Sequence, residues 1–198
     1  MSPFGSFLFD FNRLRLGRKI GGGTSGEVFL ATWDDATTVA AKRLFTPTVG
    51  AAAFDRAFRR EVSLLSQLHH PSIVQLLGVC ESPNDGTCYI VTELCMGSLR
   101  DLIDDESYAI SYTTALRVAL QISSGMLYLH AKDVIHRDLK PGNVLVSNAE
   151  NGTQEIQVKL CDFGLSRVKN TMSTLTAMTA AVGTPAYMAP ELVRGTGK

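Results

Sequence analysis

His136-Arg137-Asp138-Leu139-Lys140-Pro141-Gly142-Asn143, followed further on by Asp162-Phe163-Gly164, decides the reading of this chain. Each string offers an acid where a metal or a proton is wanted. Asp138 and Asn143 share a loop with Pro141 and Gly142. Asp162 follows an apolar stretch containing Val158 and Leu160 and precedes the flexible Gly164. An Asn and an Asp converging from two loops suit a hard cation. Magnesium takes oxygen ligands, keeps several waters, and needs only one or two protein carboxylates beside substrate phosphates.

A site of that kind also needs a holder for phosphate, and the N-terminal region supplies one. Gly21, Gly23 and Gly26 form G-x-G-x-x-G, with Gly22 inside it and Val28 just after. Glycine lets backbone N–H groups come close to phosphate. Dinucleotide-binding folds share this spacing, but there the loop opens a helix. Here Val28, Phe29, Leu30, Thr32 and Trp33 are strand formers, so a strand–loop–strand hairpin is predicted. A P-loop is excluded, because the pair Gly197-Lys198 lacks the upstream glycine. An ordinary glycine-rich turn remains the alternative.

Val39-Ala40-Ala41-Lys42 then reads as a short apolar strand carrying a lysine. Its ammonium is a candidate for the α- and β-phosphates; a solvated edge lysine is the alternative. Phe54 to Leu68 is predicted to be a helix, with Phe58, Glu61, Leu65 and Leu68 on one face. Glu61 thus falls in an apolar stripe, where an unpaired buried charge costs about 3–5 kcal/mol. Lys42 is the expected partner, with Arg56 or Arg60 on the same helix as the alternatives.

In this order the motifs resemble those of eukaryotic protein kinases. They are Gly21-x-Gly23-x-x-Gly26-x-Val28, Val39-Ala40-Ala41-Lys42, His136-Arg137-Asp138-Leu139 with Asn143, Asp162-Phe163-Gly164, and Ala189-Pro190-Glu191. The resemblance implies an α+β, two-lobed fold. The N-lobe, 16–95, would be an antiparallel sheet with one helix; 96–198 would be an incomplete, mainly helical C-lobe. The acids and the clamped nucleotide would meet in a cleft. Kinase domains continue for roughly eighty to a hundred residues past Ala189-Pro190-Glu191, so an incomplete domain is expected.

The resemblance also implies roles. Backbone amides from Gly21, Gly22, Gly23 and Gly26 would cover the phosphates of ATP. Lys42 would hold the α- and β-phosphates and pair with Glu61. Asp138 would accept the proton of the substrate hydroxyl, Lys140 would approach the γ-phosphate, and Asn143 and Asp162 would bind Mg²⁺. Ile90 to Cys95 resembles the hinge that reads adenine through its backbone, including Glu93 and Cys95, with Thr92 guarding the rear pocket. Val28, Ala40 and Leu145 would sandwich the ring. Leu65, Leu76, His136 and Phe163 match an apolar column joining the lobes; plain core packing would equally account for them.

Lys140-Pro141 and Gly183-Thr184-Pro185, with Thr184 set to touch Asp138 and Lys140, resemble Ser/Thr kinases. The hinge and the stretch from Leu94 to Leu99 resemble tyrosine kinases. The mixture is typical of the tyrosine-kinase-like group, whose members mostly modify Ser and Thr. Arg137 would receive a phosphate on Ser173, Thr174, Thr176 or Thr179, in a polar stretch near Arg167 and Lys169, placed there by an upstream kinase. A scaffolding or pseudokinase-like fragment without turnover is the alternative, although every catalytic position is intact.

Composition fits a folded enzyme. The chain is 45% hydrophobic with zero formal net charge, which argues against disorder and against broad attraction to nucleic acid. It has no membrane-length apolar run and no secretory signature at Met1 to Asp10, so a cytoplasmic protein is expected. Cys80, Cys88, Cys95 and Cys161 lack metal spacing and are expected to be reduced. His69, His70 and His130 are expected to be structural or solvated. Loops are expected at 46–51, 82–86 and 148–152. Thr113 to His130 is predicted to be a long helix burying Leu116, Ala119, Leu120, Ser123 and Leu127 beneath the catalytic loop.

Overall fold

The computed structural model describes residues 7–23, 26–44, 58–59, 61–148, 156–163, 167–168 and 183–194. The chain folds as two units: Met1–His69 with Val74–Cys95, and His70–Ile73 with Met96–Lys198.

The first unit is built on β1 (Leu14–Gly23), β2 (Gly26–Trp33), β3 (Thr37–Leu44), β4 (Leu76–Glu81) and β5 (Cys88–Glu93). They form an antiparallel five-stranded sheet in the order β1-β2-β3-β5-β4. Successive strand residues point to opposite faces, and cross-strand partners share a face. One face therefore carries Ala31, Val39, Ala41, Tyr89 and Val91, which cluster with Leu14 and Cys80 beneath Phe9, Phe11, Trp33 and Leu77. The Phe9 ring stacks on Trp33 at 4.0 Å. Residues 7–9 extend the sheet along β4: Phe9 N donates to Val79 O, and Val79 N donates to Phe7 O, both at 2.7 Å. Burial and the charge of Cys88 push the Cys80 thiol up to about 12, so it packs as a neutral apolar group.

The other face carries Val28, Leu30, Ala40, Lys42, Ile90 and Thr92, linked by the pairs Val28↔Lys42↔Ile90 and Leu30↔Ala40↔Thr92. Helical residues 58–59 and 61–65, called α1, bury Glu61, Val62 and Leu65. The helix stops short of the predicted Leu68. Gln67 N bonds Leu64 O and Leu68 N bonds Leu65 O, both at 3.1 Å, tightening the last turn to i→i+3 bonds. Leu68 is still buried, from the turn. Residues 54–57 and 60, with Arg56 and Arg60, lie outside the described residues, as does the predicted loop at 46–51. The loop at 82–86 forms.

The second unit pairs β6 (Gly97–Ser98), β8 (Val144–Asn148) and β9 (Ile156–Leu160), and separately β7 (Val134–Ile135) with β10 (Arg167–Val168). Ser98 opens α2 (Leu99–Asp104) with a reciprocal cap: Asp101 N donates to Ser98 Oγ at 3.2 Å, and Ser98 N donates to the Asp101 carboxylate at 2.8 Å. Ser111 caps α3 (Tyr112–Ala131), accepting from Thr114 N at 3.1 Å. The short α4 (Pro190–Val193) starts on a proline.

The inward face of α3 is not the predicted one. Val118, Gly125 and Leu129 are buried, whereas Leu120 and Leu127 are 70% and 72% exposed, and Leu116, Ala119 and Ser123 are exposed too. Gly125 decides the matter. Its missing side chain admits Leu160 Cδ1 and Ser72 O, each 3.0 Å from where a Cβ would sit, so β9 and the 70–73 segment lie against this side. Gln121 ties the same side to β9, donating to Ile156 O at 3.0 Å and accepting from Val158 N at 2.9 Å.

Candidate active site

Both acid-bearing loops leave the same end of one β-hairpin. Val144, the first residue of β8, pairs with Leu160, the last of β9. Asn143 therefore precedes one strand where Cys161 and Asp162 follow the other. Cys161 N donates to Asn143 O at 3.0 Å and closes this end.

His136 braces it. Its Nδ1 accepts from Asp138 N at 3.4 Å, which leaves the proton on Nε2 to donate to Cys161 O at 3.0 Å. Burial holds the imidazole below its usual pKa, outweighing the Cys161 carbonyl and the charges of Asp162 and Asp138, so the ring is neutral. It lies 5.3 Å from the buried Phe163 ring. Arg137 and Asp162 both adopt left-handed backbone, with φ of 72° and 63°. Such strain costs on the order of 1–3 kcal/mol and concentrates where side chains must be aimed.

Asp138 is 8% exposed and fully engaged. Oδ1 accepts from Thr184 N at 2.9 Å and from Thr184 Oγ1 at 2.8 Å. Oδ2 accepts from Asn143 Nδ2 and pairs with Lys140 Nζ, both at 2.9 Å. Lys140 Nζ also donates to Thr184 Oγ1 at 2.7 Å. Burial raises the carboxyl pKa, but the bonds from Lys140, Thr184 and Asn143 together outweigh it and hold the group below the ordinary carboxylate range. Gly183 admits this contact: its φ is 125°, and a Cβ there would stand 2.8 Å from Arg137 O.

The donor set suits a hard cation. Asn143 spends its amide nitrogen on Asp138 O and Oδ2, at 2.8 and 2.9 Å, which leaves its side-chain oxygen as a pure acceptor. That oxygen and the Asp162 carboxylate are the expected Mg²⁺ ligands. No cluster of three His, Cys, Asp or Glu side chains with metal spacing occurs among the described residues. Leu145, half-buried, pairs with Ser98 and Lys159.

In the first unit, Gly21, Gly22 and Gly23 pair with Val28, Glu27 and Gly26 across the β1–β2 hairpin. Gly26 is required by a close backbone approach: a Cβ there would lie 2.1 Å from Arg43 O. Lys42 Nζ meets Glu61 Oε1 at 2.9 Å, with their side chains 17% and 8% exposed. Val28, Ala40, Lys42 and Thr92 share this face of the sheet. Gln75 N donates to the Glu93 carboxylate at 2.8 Å, and Thr92 Oγ1 donates to Glu93 O at 3.2 Å. Cys95, half-buried, closes the unit.

The activation-segment residues Ser173, Thr174, Thr176, Thr179 and Lys169, the Gly164 of the DFG string and the side chain of Arg167 lie outside the described residues. Sequence reasoning missed the left-handed Arg137 and Asp162, which no residue type announces, and Gln121, whose polar amide within an apolar helix was a usable signal.

The protein kinase domain family pattern matches residues 14–198. The chain belongs to the protein kinase domain family. Among curated relatives, a probable serine/threonine-protein kinase of Dictyostelium discoideum is 35% identical over 192 residues, covering 97% of this chain and 20% of that protein. The dual specificity protein kinase splA of the same organism is 37% identical, covering 94% of this chain and 8% of its own length. A serine/threonine/tyrosine-protein kinase of Arabidopsis thaliana is 35% identical, with 93% and 46% covered. This kinase domain thus spans less than half the length of these relatives. Among its described residues, no helix is long and apolar enough to cross a membrane.

Proposed function

We propose that this kinase domain transfers the γ-phosphoryl group of Mg-ATP to Ser or Thr hydroxyls of protein substrates. The observation that carries the reading is the Asp138 carboxylate: buried, ionised, and fixed by Thr184, Asn143 and Lys140. A carboxylate so held can orient an incoming hydroxyl and take its proton as the oxygen bonds to the γ-phosphorus and the bond to the leaving ADP oxygen breaks. Lys140 faces the negative charge that spreads over the phosphoryl oxygens in the transition state. Lys42, fixed by Glu61, holds the α- and β-phosphates under the Gly21–Gly26 hairpin. Asn143 and Asp162 would hold Mg²⁺, which would supply positive charge to offset that of the phosphates. Ile90 to Cys95 receives adenine.

Lys140-Pro141 and the Thr184 contact favour Ser/Thr acceptors, and the relatives' names include that specificity. Phosphate on the segment from Ser173 to Thr179, added by an upstream kinase and received by Arg137, would raise activity; signal transduction in the cytoplasm is the corresponding setting. The test is transfer of labelled γ-phosphate to a generic Ser/Thr-rich protein, followed by phosphoamino-acid analysis. Metal-dependent label on Ser and Thr is expected. Label on Tyr alone, or transfer undiminished by EDTA, would contradict the reading. Replacing Thr174, Thr176 and Thr179 together with Ala is expected to lower turnover; unchanged turnover removes the regulatory part.

A further inference from the structure

One carboxylate in the glycine hairpin joins three strands. Glu27 Oε1 takes Lys19 Nζ of β1 at 2.8 Å, and Glu27 Oε2 takes Arg43 Nη2 of β3. The register explains how. Glu27 stands opposite Gly22 on one side and Arg43 on the other. Gly22 has no side chain, and Lys19 fills the space: a Cβ at Gly22 would lie 3.1 Å from Lys19 Cε and 3.3 Å from Lys19 Nζ. Register irregularities flank Lys19 and re-aim it toward Glu27. The Arg43 guanidinium is steadied from below by the Phe29 ring, 5.6 Å away.

Strand alternation separates this ladder from Val28 and Lys42, which point to the other face. None of the three charged groups therefore lies on the face that carries Lys42. Isolated exposed ion pairs contribute little. This carboxylate differs: it is only 19% exposed and is shared by two cations, themselves 52% and 40% exposed, so losing it removes both of these ion pairs at once.

We propose that Lys19, Glu27 and Arg43 are positioning residues that fix the pitch of the Gly21–Gly26 hairpin from behind, and so set the affinity for ATP rather than the rate of transfer. The proposal rests on the nucleotide-binding reading above. The test uses the whole chain, with KM for ATP, kcat, and amide hydrogen exchange of Gly21 to Val28 without nucleotide. Glu27→Gln is expected to raise KM about three- to tenfold with kcat within about twofold, and to speed exchange across the hairpin. Added salt should raise KM more steeply in the wild type than in the variant. Lys19→Gln should act alike, and the double variant should be no worse than Glu27→Gln. Unchanged exchange, additive effects, or a fall in kcat with unchanged KM would overturn the clamp. Absence of ATP binding by the wild type would overturn the nucleotide reading and the clamp's stated purpose, while faster exchange in Glu27→Gln would still separate that failure from a failure of the ion ladder.

Discussion

At the scale of single residues, the buried acids among the described residues are Glu61, paired with Lys42, and Asp138, and each makes a prediction. Lys42 and Glu61 compensate one another. Lys42→Met leaves a mostly buried carboxylate alone and should cost about 3 kcal/mol in a denaturant titration, with Glu61→Leu added in the same chain recovering most of it. A single variant as stable as the wild type would mean that the pair does not need compensation. Asp138 has a pKa below the ordinary carboxylate range, so its protonation should limit kcat/KM only at a pH lower than that at which an ordinary carboxylate titrates. Lys140 is the strongest lowering partner; in Lys140→Ala the acid limb of the normalised profile should move to higher pH. The Lys42–Glu61 pairing was legible in the sequence because helical spacing put one acid into an apolar stripe. The left-handed backbone at Arg137 and Asp162 was not, because the tertiary contacts around those positions impose it.

Elements show where pattern reading succeeds and where it runs out. The glycine hairpin was legible because strand formers flank it and helix formers do not. The extent of α3 was legible too, but its buried side was not. Apolar residues run along more than one side of this helix, and spacing alone favoured the side with the larger leucines. Packing chose the side with Gly125, where β9 and the 70–73 segment can approach. Stability should report the difference. Leu129→Ala should cost about 2–5 kcal/mol, and Gly125→Ala about 1–3 kcal/mol through overpacking against a backbone carbonyl. Leu127→Gln should change stability by less than about 0.5 kcal/mol. A large loss in Leu127→Gln with none in Leu129→Ala would reverse the assignment.

For the whole molecule, pH links stability to the brace between the two acid loops. His136 is neutral in the folded protein, with its pKa lowered by burial. The unfolded chain takes up that proton first, near pH 6.5, so stability is fully present above this pH and falls as pH drops below it. The slope between pH 7.5 and 5.5 should flatten in His136→Gln; an unchanged slope would place the proton uptake elsewhere. The kinase fold class could be read because five short motifs occur in one order, and the same order anticipated the contacts of Lys42 with Glu61 and of Asp138 with Lys140 and Thr184. Substrate identity could not, since no motif in the chain specifies what would surround an acceptor hydroxyl.

Asp138 is proposed to orient and deprotonate the acceptor hydroxyl while other residues hold the nucleotide. The most direct measurement compares ATP affinity and labelled-phosphate transfer in wild type and Asp138→Asn under the same conditions. ATP affinity within about threefold and transfer reduced about 10²–10⁴-fold is the predicted result. Transfer by Asp138→Asn at the wild-type rate would contradict the account.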